Sequence, residues 1–258
     1  MQKIILKVIL GICIAAVVAF AALIARELYI DWQSRSFYDD ILADIETRPH
    51  RPQQTDNAQP PQSEEEEEWT PYVDFEKLSE IYPGIVGWIK LEGTQIDYPV
   101  MQYTDNDYFL GRLPDGTAHR SGSIFLDYRN ESDFSDRSIL IYGHTSRTDE
   151  MFGTLKHYRN REFFEANPVI YLYTPEADYK LELFAGHIAH SVRDHPPLEF
   201  ENDEDFLEYI AHIKRVSVFS SDVEISAKDT IVSLVTCTYD FNDARLIIVG
   251  VLVDAVEK

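Results

Sequence analysis

From Trp69 to the C-terminus the chain is broken into short apolar runs of strand length, and this rhythm constrains the fold more than any other feature. The runs are 85–91, 96–101, 123–127, 138–142, 169–174, 179–189, 230–236 and 246–253. They are short, rich in Ile, Val, Leu and aromatics, and separated by turn formers such as Pro83-Gly84, Pro114-Asp-Gly116 and Pro175. Eight strands can close a small barrel filled by side chains. The expectation is therefore a mainly β domain, a closed eight-stranded barrel with peripheral helices. Helical patches are expected at 75–81, 151–158, 161–165 and 203–215. In the last, Phe206, Leu207, Ile210 and Ile213 form the apolar face, with Asn202 as cap. A domain spanning 69–258 is long enough for one well-buried core.

The N-terminus is built differently. Residues 8–25 form an uncharged run of 18 residues, about 27 Å as a helix and close to the hydrocarbon thickness of a bilayer. Lys3 and Lys7 precede it, which favours a cytoplasmic N-terminus and an extracytoplasmic remainder. The run is longer than a signal-peptide core, so an uncleaved single-pass anchor in the cell membrane is expected over 1–27. Apolar residues Ile30, Phe37, Ile41 and Ile45 then recur near helical spacing, continuing a helix out of the membrane. Residues 47–63 hold four prolines and almost nothing apolar, and Glu64 to Glu68 extend the chain by self-repulsion. Residues 28–68 thus read as a helix and linker. The net charge of −22 disfavours a nucleic-acid partner, and none is expected, because phosphate binding needs clustered Lys and Arg.

The chemistry concentrates near the C-terminus. Only two cysteines occur, and Cys13 lies in the apolar anchor, so Cys237 is the single thiol beyond it and no disulfide can form there. Cys237 ends the apolar run Ile231-Val-Ser-Leu-Val235, and Arg245 begins the next one. Adjacent strands would bring thiol and guanidinium together. A third strand end, Ile139-Leu-Ile-Tyr-Gly-His144, offers a histidine. A thiolate is a strong nucleophile, favoured by a nearby cation. A histidine can carry protons, and arginine offers a fixed fork of donors. Taken singly, each residue has an ordinary packing or surface role; their conjunction indicates a Cys/His/Arg site. Elsewhere, Asp105-Asn-Asp107 lacks the Gly and distal Glu of a calcium loop. His187 and His190 fall on opposite faces of one strand, which argues against a metal site with His195. No cofactor fingerprint and no metal site are expected.

These residues resemble the signature of the sortases, membrane-anchored cysteine transpeptidases of Gram-positive bacteria. The family carries a T-L-x-T-C strand, an Arg on the next strand and an earlier His; here the strand reads Ser233-Leu-Val-Thr-Cys237, with Ser for the first Thr. Further segments are similar to class B members: Gly87-Trp-Ile89, Ile96-Asp-Tyr-Pro-Val-Met-Gln102, Asp105-Asn-Asp-Tyr-Phe-Leu110, Gly122-Ser-Ile-Phe-Leu-Asp-Tyr-Arg-Asn130, Tyr142-Gly-His144, Met151-Phe-Gly153 and Thr236-Cys-Thr-Tyr-Asp-Phe241. Thr145 departs from the Asn or His that many class B members carry there.

The resemblance implies Cys237 as nucleophile, His144 as proton carrier and Arg245 as oxyanion or peptide-carbonyl donor. It implies a groove with Asn106, Leu110, Tyr142 and Thr236 that holds a C-terminal sorting motif of a secreted protein. Cleavage after Thr would give a thioester, resolved by an amine of a peptidoglycan precursor or, in a pilin-polymerising enzyme, by a Lys side chain. Two other classes are disfavoured. A non-catalytic wall-binding module has no need for all three polar residues. A papain-like hydrolase places its Cys before its His in the chain, and here His144 comes first.

Overall fold

The computed structural model describes residues 2–46 and 73–256. The expected linker, 47–68, and the expected domain start at Trp69 lie outside them. The described residues fall into two bodies. The first is one helix, α1 (Gln2–Glu46), so the apolar run and the segment after it are continuous. It is long and apolar enough to cross a membrane.

The second body is a closed barrel of eight strands: β1 (Ile85–Lys90), β2 (Asp97–Met101), β3 (Ile124–Leu126), β4 (Ser138–Tyr142), β5 (Val169–Tyr173), β6 (Asp178–His190), β7 (Ile231–Cys237) and β8 (Ala244–Val256). Their order around the barrel is β1-β2-β3-β4-β7-β8-β6-β5, and β5 closes on β1 through Trp88↔Tyr173 and Lys90↔Tyr171. The pairs β2–β3 and β4–β7 are parallel and the rest antiparallel. All eight expected strands form. The exceptions are at the ends: β8 starts at Ala244, so Arg245 lies inside the ladder rather than before it, and β6 reaches His190.

Helices α2 (Phe75–Ile81), α3 (Arg161–Ala166) and α4 (Asp203–Arg215) accompany the barrel, with a 3₁₀ segment at Met151–Arg159 that kinks at Phe152. The Asn202 side chain caps α4 by accepting from the amides of Glu204 and Asp205. Acidic residues fill its first turn and basic ones its last, matching the helix dipole. Phe206, Ile210 and Ile213 bury against a cluster with Leu140, Phe184, Val235, Ile247 and Val249. Leu207 does not join them and stays 40% exposed. One residue along a helix is a turn of about 100°, which takes Leu207 off the stripe defined by its i, i+4, i+7 neighbours.

Alternation then sorts the two faces of the strands. Leu140, Val235, Ile247 and Val249 face the α4 side. Ile139, Ile141, Val232, Leu234 and Ile248, of opposite parity and all fully buried, fill the barrel. Because β7 is covered on both faces, its apolar residues fall on both (Ile231 and Val235, Val232 and Leu234) instead of alternating with exposed polar ones.

His187 on β6 is buried, its Nδ1 meets no hydrogen-bond partner among the described residues, and burial, aided by nearby His212, lowers its pKa to about 4. The unfolded chain takes up this proton near pH 6.5, whereas the folded barrel resists it until about 4. Stability from this site is therefore intact above pH 6.5 and declines as pH falls toward 4, by about 3 kcal/mol in all. In detergent-solubilised protein, His187→Phe should flatten the fall of melting temperature between pH 7 and 4.5. An unchanged slope would show that other groups govern acid sensitivity.

Candidate active site

The site is assembled by strand register. Cys237, the last residue of β7, pairs directly with Arg245 of β8, so both side chains project from the same face. On the other side of β7 the parallel ladder runs Ile141↔Leu234 and Tyr142↔Val235. One residue past β4, the Gly143 amide donates to the Val235 carbonyl at 3.1 Å. Carried one step further, the register sets His144 level with Cys237. Tyr142, Val235 and Ile247 pack on the α4 side, and the two-residue period puts His144, Cys237 and Arg245 on that same side. The three candidate catalytic residues thus converge where β4, β7 and β8 run out.

Gly143 is needed there for space. A Cβ would lie 2.4 Å from Ile124 Cδ1 and 2.8 Å from the Phe152 ring. His144 Nε2 lies 2.7 Å from the Leu110 carbonyl oxygen. A carbonyl only accepts, so Nε2 carries the proton and Nδ1 is the nitrogen left to exchange one. A backbone carbonyl, not a carboxylate, orients this ring. The Arg245 guanidinium donates to the Ala244 carbonyl at 3.1 Å, an oxygen that also accepts from the Thr238 amide.

The remaining candidates have separate environments. Tyr142 hydroxyl donates to Asp127 Oδ2 at 3.0 Å and lies 3.0 Å from His195 Nε2. Asn106 donates its amide to the same Asp127 oxygen and accepts from the Tyr128 amide, which occupies both ends of its side chain. Leu110 exposes its side chain while its carbonyl holds His144. Thr236 is buried, and its hydroxyl has no hydrogen-bond partner among the described residues.

Two features at the site were not anticipated from sequence. The first is Asp127, wholly buried just beyond β3. Burial would raise its pKa, but a bidentate Arg129 guanidinium, the Arg129 amide, Asn106 and Tyr142 outweigh this and hold it at about 2. Burial above all, and then the same carboxylate, push the Tyr142 phenol upward, so that Tyr142 remains a neutral donor. The second is a clamp on the β7–β8 turn. Arg159, from the 3₁₀ segment, bonds both oxygens of Asp240 at 3.0 and 2.6 Å and the Thr238 hydroxyl at 2.8 Å. Thr238 in turn donates to Asp240 at 2.7 Å. These bonds, led by Arg159, lower the Asp240 pKa to about 2, so the clamp keeps its charges throughout the neutral range. No spacing rule links residue 159 to residue 240.

Barrel and site together define a cysteine transpeptidase of the sortase type. Residues 89–253 match the family described as Sortase domain. Sortase B of Listeria monocytogenes is 36% identical over 182 residues, covering 70% of this chain and 73% of its own. Sortase B of Staphylococcus aureus is 34% identical over 181 residues, covering 69% and 74%. The barrel superposes on a Staphylococcus aureus sortase B–substrate complex with a TM-score of 0.67 at 34% identity, covering 70% of this chain and 85% of that one. For Clostridium perfringens sortase B the values are 0.66, 35%, 70% and 100%. The chain belongs to the sortase family and, within it, to the sortase B group.

The Arg159–Asp240 pair is exposed, so it adds little to stability; its effect is on where the turn after Cys237 sits. Asp240→Asn is expected to slow thioester formation roughly tenfold, through misplacement of the site. The melting temperature should move by no more than a degree or two. A rate within twofold of the parent would mean that the turn holds its place without the clamp.

Proposed function

We propose that this sortase cleaves a C-terminal sorting motif of a secreted protein after a Thr and transfers the Thr carbonyl to an amine of a peptidoglycan precursor. The Cys237 thiolate attacks the Thr carbonyl carbon. The C–N bond breaks as His144 Nδ1 gives a proton to the departing amine, leaving a thioester. The acceptor amine then attacks, the C–S bond breaks, and His144 takes the surplus amine proton. Arg245 donates to the oxyanion of each tetrahedral intermediate. The observation that carries this reading is the cross-strand pairing of Cys237 with Arg245, beside a parallel β4–β7 ladder whose register, extended two residues past Tyr142, brings His144 level with Cys237.

The sorting peptide runs along Asn106, Leu110 and Tyr142, and Thr236, on the opposite face of β7, adjoins it only at the strand end beside Cys237. Asn106 serves the groove by fixing the backbone at Tyr128, since its own amide is engaged. Residues 69–258 are the catalytic domain, 28–68 the spacer and 1–27 a single-pass anchor. Lys3 and Lys7 favour a cytoplasmic N-terminus and an extracytoplasmic barrel.

Thioester capture by mass spectrometry with a library of Thr-containing pentapeptides tests this directly. The adduct should form on Cys237 and vanish in Cys237→Ala, with the circular dichroism spectrum unchanged. An adduct on another residue would overturn the assignment. Arg245→Lys keeps the charge but not the planar fork, and losing an oxyanion donor costs on the order of 10²–10³ in rate. If the Lys variant works within about threefold of the parent, Arg245 contributes only positive charge.

A further inference from the structure

A pocket of about 330 Å³ opens beside Cys237, lined by Thr145, Ser146, Arg147, Lys156, Thr236, Cys237, Thr238, Tyr239 and Leu246. Apart from Thr236 it shares no residue with the groove of Asn106, Leu110 and Tyr142. Its walls are the loop after His144, the 3₁₀ segment and the β7–β8 turn, and Thr236 and Leu246 belong to the strand faces opposite Tyr142 and Val235. Cys237, at the strand end, thus borders two distinct openings, the groove and this pocket. A transpeptidase needs two, because the acyl donor still occupies one while the acceptor arrives.

The lining carries no carboxylate, although the chain has a net charge of −22. Of its two cations, Lys156 is already committed, to Asp149 at 2.5 Å and to the Ser146 carbonyl. Arg147, three residues after His144, is exposed and has no ion pair or hydrogen bond among the described residues. Thr145, Ser146 and Thr238 add hydroxyls and Tyr239 a largely exposed ring. A pocket with one uncommitted guanidinium set in a largely apolar wall suits a peptide-like molecule that carries an acid.

We infer that this pocket is the acceptor subsite, and that it selects amines which carry a carboxylate, paired by Arg147. The inference rests on the transpeptidase reading above. The bound acceptor presents its neutral amine to the thioester carbonyl carbon. The new C–N bond forms, the C–S bond breaks, the surplus amine proton passes to His144 Nδ1, and the Cys237 thiolate is regenerated. The carboxylate takes no part in these bonds and acts only on binding. The preference should therefore appear in the KM for the acceptor.

Two matched acceptor pairs, differing only in that carboxylate, provide the test: triglycine against triglycinamide, and Nα-acetyl-lysine against its amide. With the detergent-solubilised full chain and a captured sorting peptide, at least one acid should show a KM about three- to fivefold below its amide, the scale of one exposed ion pair. That ratio should fall toward one at high salt and invert in Arg147→Glu. Equal KM values for acid and amide in both pairs would overturn the inference. So would an Arg147→Glu variant that slows thioester formation as much as transfer, since the pocket would then hold the sorting peptide. Absence of any Cys237 thioester would instead overturn the transpeptidase reading itself.

Discussion

Everything at the site depends on the parallel pairing of β4 with β7. It joins segments about ninety residues apart and places the two strand ends that carry His144 and Cys237 side by side. Such pairing is costly to form, because a long loop must close before any ladder bond forms. Its stability comes from burial on both sides. Ile139, Ile141, Val232 and Leu234 fill the barrel, while Leu140 and Val235 lie under α4. Helix α4, which touches none of the reacting groups, thus holds the catalytic register by covering the outer face of the strands.

Asp127 does for the groove what α4 does for the strands. A wholly buried carboxylate persists only if its lone pairs are filled. Here they are filled by groups from three places: Arg129 on its own turn, Asn106 from the preceding loop and Tyr142 from the end of β4. Removing any one leaves a buried charge short of a partner, so the segments are bound to a common geometry.

Period and length were enough to reveal the barrel and α4. Strands of three to thirteen residues repeat with turn formers between them, and α4 has both a cap and a stripe. The pairing of Cys237 with Arg245 was legible because a short turn between two apolar runs forces a hairpin. The level of His144 was not, since a parallel ladder has no short connection to fix its register. The assignment of Leu207 to the buried face failed because composition does not fix the stripe to within one residue. Asp127 and the Arg159–Asp240 clamp were hidden for a further reason. Their partners are brought together by the closed barrel, and an Asp in a turn looks the same in sequence whether solvated or buried.

The hydrogen bond from His144 to the Leu110 carbonyl separates two demands that usually conflict. Position 110 lies in the proposed peptide groove, where a change of diet in sorting motifs calls for a change of side chain. The group that steers the histidine there belongs to the main chain, which every amino acid shares. On the proposed roles, a mutation at 110 can alter what is gripped without disturbing the histidine. Recognition can therefore drift while the reaction stays fixed.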